Sequence, residues 1–172
     1  VVLKPDPRTP ITGGHVIARV FEEAGLPKGL LQVIPGAADV GVAVVEAPDV
    51  RVVSFTGSTA AGRKVGELAS ANLKRVHLEL GGKAPVIVFD DADLDAAAAG
   101  IAMAGLFNAG QDCTSGNRVL VQAGVYDKFV GMLSDYVKTS ITVGAPEEDV
   151  FMGPLNSIAH FERVQEYIAN AP

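Results

Sequence analysis

The residue with the most chemical potential is the single cysteine, Cys113, in Asn108-Ala109-Gly110-Gln111-Asp112-Cys113-Thr114. Structural cysteines are usually buried in regular elements. This one stands among Gly, Gln, Asp and Thr, where a thiol is accessible, although no cation beside it marks a stabilised thiolate. A second candidate is Glu79, in Leu78-Glu79-Leu80-Gly81-Gly82-Lys83. A carboxylate in an apolar strand is costly unless partnered or used, and burial would raise its pKa towards that of a general base. The plainer reading is a solvated glutamate on the polar side of an alternating strand, with His77 beside it.

Gly57-Ser58-Thr59-Ala60-Ala61-Gly62 follows an apolar strand and opens a helix, so free backbone N–H groups there could face an anion. A phosphate loop needs Lys and then Ser/Thr directly after the second glycine, where Arg63-Lys64-Val65 follow here; this argues against ATP binding and leaves an ordinary strand–helix turn as the alternative. Lys4 ends the first strand, on the edge where open α/β sheets hold nucleotides, although a solvated lysine is the commoner case. The acidic run at 90–95 lacks the glycine and the terminal glutamate of a calcium loop, and helix capping explains it. His15, His77 and His160 have no ligand spacing, so no metal site is expected.

The elements that must carry these residues alternate short β-branched runs with helical stretches, a pattern of βαβ units around a parallel sheet. Strands are expected at 1–3, 31–34, 50–55, 75–80, 86–89 and 118–122. Helices are expected at 9–24, 39–46, from about 59 to 71, from Asp93 to about Asn108, at 126–138 and at 158–168. Asp93 suits an N-cap, and Gly110 the residue just past a helix end. The double glycine at 81–82 is the best candidate for a domain boundary.

With 48% hydrophobic and 20% charged residues, the 172-residue chain has a globular profile. Its net charge of −6 argues against nucleic-acid and anionic-membrane partners. No apolar run reaches the length of a membrane span. A lone cysteine cannot form an internal disulfide and fits a cytoplasmic setting. The chain opens on Val1-Val2-Leu3 and stops at Pro172 as a helix would be finishing, so a fragment of a longer protein is expected.

Taken together, the sequence resembles the aldehyde dehydrogenase superfamily along its whole length. The resemblance is carried by Leu3-Lys4-Pro5 with Thr9-Pro10, Ala24-Gly25-Leu26-Pro27, Phe55-Thr56-Gly57-Ser58-Thr59, Glu79-Leu80-Gly81-Gly82-Lys83, Gly110-Gln111-Asp112-Cys113 and Met152-Gly153-Pro154-Leu155, in that order. It implies an α/β fold: a parallel-sheet, Rossmann-like NAD(P)-binding domain, part of which is 1–81, joined to an α/β catalytic domain, part of which is 82–172. Both would be incomplete. By resemblance, Cys113 attacks the aldehyde and passes through a thiohemiacetal and a thioester, while Glu79 activates the hydrolytic water. The Cys113 amide would form half of an oxyanion hole. Lys4, Gly57, Ser58 and Leu80 would bind the cofactor, NAD or NADP, with Lys4 on the adenosine ribose.

Some family features would lie outside this chain: an oxyanion-hole Asn before Val1, and after Pro172 a Glu-x-Phe segment and an interface strand. The family's ribose-binding Glu, three residues after the lysine, is here Pro7, which implies tolerance of NADP. Lys4-Pro5-Asp6-Pro7-Arg8-Thr9 with Gly13-Gly14 looks most like the benzaldehyde dehydrogenase branch and points to an aromatic aldehyde. The parent enzyme would be a homo-oligomer, a dimer or tetramer. The competing expectation is a truncated, non-catalytic remnant that serves at most as a binding module.

Overall fold

Stiff β-branched residues recur in the strands, which pair two by two in parallel across helical crossovers, as β1 with β2, β3 with β4 and β5 with β6, in the computed structural model, which describes residues 1–171. Pro172 lies outside the described residues. The chain divides into two compact units between Leu80 and Gly81.

In the first unit, β1 (Val2–Leu3) pairs with β2 (Gln32–Val33). A π-helical turn at Ile11–Val16 leads into α1 (Ile17–Glu23), where continuous α-helix is expected from the sequence; both forms share right-handed dihedrals, and local periodicity does not separate them. Helix α2 (Ala38–Glu46) precedes β3 (Val52–Gly57), α3 (Thr59–Ala71) and β4 (Arg75–Leu80). Strands β3 and β4 pair from Val52↔Arg75 to Gly57↔Leu80. Their buried face packs Val53 with Val45 of α2 and Ala69 of α3. Lys74 closes the end of α2 by donating from Nζ to the carbonyls of Val45 and Ala47, each at 2.6 Å, which places a cation at the negative pole of that helix.

In the second unit, β5 (Pro85–Val88) runs to α4 (Leu94–Leu106), β6 (Arg118–Val121), α5 (Tyr126–Ser140) and α6 (Ile158–Ala169). Strands β5 and β6 pair from Pro85↔Arg118 to Val88↔Val121. Asp93 caps α4 through its carboxylate, which accepts from the Ala96 amide at 3.1 Å. Phe129 of α5 is fully buried against Val88, Ala98 and Ile101. Truncating this ring removes the largest enclosed side chain of the unit and opens a cavity. Phe129→Ala should therefore cost about 3–5 kcal/mol. A urea unfolding curve would show it as a lowered midpoint at unchanged slope; a loss under about 1 kcal/mol would mean that the ring is not enclosed.

The opposite strand faces are open. Val52, Ile87 and Leu120 are about half exposed or more, whereas parallel sheets are normally covered on both faces. Among the described residues no helix is long and apolar enough to cross a membrane.

Candidate active site

Strand β3 delivers Gly57 and Ser58 to the start of α3. Ser58 is extended (φ −70°, ψ 151°) and is the N-cap: its hydroxyl accepts from the Ala61 amide at 3.3 Å, and its carbonyl accepts from Gly62 N–H at 2.8 Å. The amides of the first turn below Ala61 stay available to an anion, which the positive pole of a 13-residue helix favours. A Cβ on Gly57 would lie 2.5 Å from the Phe55 ring, so glycine keeps this turn clear.

Because β3 and β4 are parallel and in register, Thr56 faces Glu79 and Gly57 faces Leu80. The structure thus brings four sequence candidates, Gly57, Ser58, Glu79 and Leu80, to one C-terminal strand edge, where α/β folds hold ligands. Leu80 also packs its terminal carbons over Gly62 of α3.

Glu79 follows the plainer of its two sequence readings, facing outward beside His77. Its side chain is 60% exposed. Its Oε1 accepts from His77 Nε2 at 2.9 Å, and His77 Nδ1 lies 3.4 Å from the Ser54 hydroxyl. In the neutral tautomer that donates from Nε2 to Glu79, Nδ1 is left to accept from the Ser54 hydroxyl. The i, i+2 spacing on an alternating strand signals that His77 and Glu79 share a face; the third member, Ser54, comes from a neighbouring strand.

Lys4 ends β1 with its ammonium already engaged. Nζ donates to the carbonyls of Pro5 at 2.7 Å and Gly36 at 2.9 Å. One N–H remains for a ligand. Nearby, Arg8 grips Asp6 through two parallel bonds of 2.9 and 2.8 Å, and that hydrogen bonding holds the Asp6 carboxyl down at about 2.

Cys113 belongs to the second unit and is exposed. Helix α4 exits through three left-handed residues, Asn108 (φ 52°), Ala109 (φ 56°) and Gly110 (φ 72°). Glycine takes this conformation freely and asparagine often, but an alanine there costs about 1–2 kcal/mol. After the cysteine, Ser115 is buried and donates to the carbonyls of Ala104 or Gly105, each at 3.2 Å, pinning the loop to the end of α4. The thiol therefore stands on a short arch fixed at both feet.

The Asp112 carboxylate accepts from the Thr114 amide and hydroxyl, both at 2.9 Å. Those two bonds, the amide first, hold its carboxyl below the usual range, with a smaller contribution from the Cys113 side chain. Among the described residues no Lys, Arg or His side chain bonds to this loop, and the Cys113 amide has no acceptor. A free N–H beside a nucleophile is the arrangement that an oxyanion needs. No group of three or more His, Cys, Asp or Glu among the described residues could hold a metal ion.

A comparison with protein families matches residues 1–172 to the aldehyde dehydrogenase family. Vanillin dehydrogenase of Amycolatopsis sp. (strain ATCC 39116 / 75iv2) is 51% identical over 172 residues, covering 99% of this chain and 35% of that protein. Among solved structures, an NADP-dependent enzyme of E. coli superposes with a TM-score of 0.93 at 42% identity, covering 99% of this chain and 35% of that one. An NAD-dependent benzaldehyde dehydrogenase from Corynebacterium glutamicum gives 0.92 at 43% identity, covering 98% and 37%. The chain spans about a third of the length of these relatives.

Proposed function

The chain belongs to the aldehyde dehydrogenase family, and from that premise we propose that it is the central section of an enzyme that oxidises an aldehyde to its acid with NAD or NADP. The observation that carries the reading most directly is the exposed Cys113 thiol on a pinned loop beside its own free amide. The open faces of the strand pairs support the view that further layers of the same enzyme cover them.

The Cys113 sulfur adds to the aldehyde carbon, forming a C–S bond, and the Cys113 N–H steadies the oxygen as it gains charge. A bound nicotinamide supplies the hydride acceptor for the C–H pair of that adduct. The remaining thioester reacts with water, from which Glu79 removes a proton while the C–S bond breaks and the thiol is restored. The chain's residues suit the cofactor at three points. First-turn amides after Gly57 and Ser58 suit the pyrophosphate, the spare N–H of Lys4 suits a ribose hydroxyl, and Leu80 adds an apolar contact. Residues 1–81 then form part of the cofactor domain, and 82–172 part of the catalytic domain. A homo-oligomeric enzyme in the cytoplasm fits the same reading.

The test is reduced-cofactor absorbance with NAD or NADP and an aldehyde panel that includes benzaldehyde and aliphatic aldehydes. Aromatic aldehydes should be preferred, in line with the likeness to a vanillin and a benzaldehyde dehydrogenase. Pro7 supplies neither a ribose hydrogen bond nor a charge to repel a 2′-phosphate. Rates with NADP should therefore lie within about tenfold of those with NAD, since one lost discriminating contact is worth about that factor. A larger NAD preference would overturn the cofactor reading. No turnover with any aldehyde would leave the non-catalytic remnant.

A further inference from the structure

Among the described residues the Gln111 side chain joins the Cys113 loop to a segment far along the chain. Its Oε1 accepts from the Asn156 amide at 2.9 Å, and its Nε2 donates to the Asn108 carbonyl at 3.0 Å. Asn108 answers by donating from Nδ2 to the Gln111 carbonyl at 3.0 Å, and the Gln111 amide donates to the Asn108 carbonyl at 3.1 Å. The amide orientation is unambiguous, because one partner is only a donor and the other only an acceptor.

Asn156 is a firm anchor. Met152, four residues before it, exchanges bonds with the stretch after α5: its amide donates to the Thr142 carbonyl at 2.9 Å, and its carbonyl accepts from Gly144 at 3.1 Å. Ser157, just after it, caps α6 by accepting from the His160 amide at 3.3 Å. At the other end of the clamp stand Asn108 and Ala109, held in left-handed backbone that alanine does not favour. Strain of this kind persists only where surrounding bonds over-determine the conformation.

We propose that Gln111 is a positioning residue: by tying the left-handed exit of α4 to Asn156, it fixes where the Cys113 sulfur and amide stand. The inference rests on the functional reading above and adds a residue that the thiol chemistry itself does not require. Gln111 touches no reacting atom. Its effect is on geometry, where a displacement of about 1 Å can cost on the order of a hundredfold in rate.

The test uses the full enzyme and two variants. Gln111→Ala removes both ends of the clamp. Amide hydrogen exchange at Asn156 should then become about tenfold faster or more. In the same variant kcat should fall by about tenfold or more while KM stays within roughly threefold, because binding groups are untouched. Gln111→Glu keeps an acceptor for Asn156 but turns an oxygen towards the Asn108 carbonyl. It should retain Asn156 protection yet lose kcat, and it carries the test if the alanine variant does not fold. Unchanged Asn156 exchange in Gln111→Ala would show that the clamp does not exist in solution. Faster exchange with unchanged kcat would show that it positions nothing. An inactive unsubstituted enzyme sinks the functional reading and the positioning role with it, while the exchange result still decides the clamp.

Discussion

Cys113→Ser should lower turnover by about three orders of magnitude or more while aldehyde and cofactor still bind. The two side chains differ by one atom, so the pinned loop should keep its shape. What changes is nucleophilicity. A free thiol is a few per cent ionised near neutrality and its anion is soft and reactive, whereas a serine hydroxyl is essentially un-ionised unless a base stands beside it. Among the described residues the side chain one position away is the ionised Asp112, and it accepts its bonds from Thr114. Cofactor binding measured by fluorescence should be unchanged, which separates lost chemistry from lost folding. Turnover within about tenfold of the unsubstituted enzyme would remove Cys113 from the mechanism.

The parts of this site that were legible in the sequence are those governed by near neighbours along the chain. Alternation in Arg75–Leu80 places His77 and Glu79 on one face, and they meet at 2.9 Å. Asp93 caps a helix as its type and position demand, and Gly110 is left-handed just past the helix end. Ala109 is different. Nothing in an alanine announces φ 56°; the conformation follows from bonds that Asn108 and Gln111 make around it.

Contacts across long separations were likewise illegible. Gln111 and Asn156 are 45 residues apart, and the two carbonyls that hold Lys74 lie 29 and 27 residues before it. No local rule selects such partners. The exposure of Glu79, by contrast, follows the strand alternation that turns it outward with His77. The register Thr56↔Glu79 was within reach of a topology argument, since parallel neighbours align their C-terminal ends.

Glu79→Gln should separate the two halves of the reaction. The amide is isosteric with the carboxylate and can still bond His77, but it cannot take a proton from water. Steady-state turnover should fall by about 10²- to 10⁴-fold, the usual worth of a positioned general base. The first half needs only the thiol, so reduced cofactor should still appear in a rapid burst of about one equivalent per Cys113, followed by a slow phase. Trapping should then recover a thioester on that cysteine. A variant that keeps full turnover would assign the base to another residue. One that loses the burst as well would mean that Glu79 acts before hydride transfer.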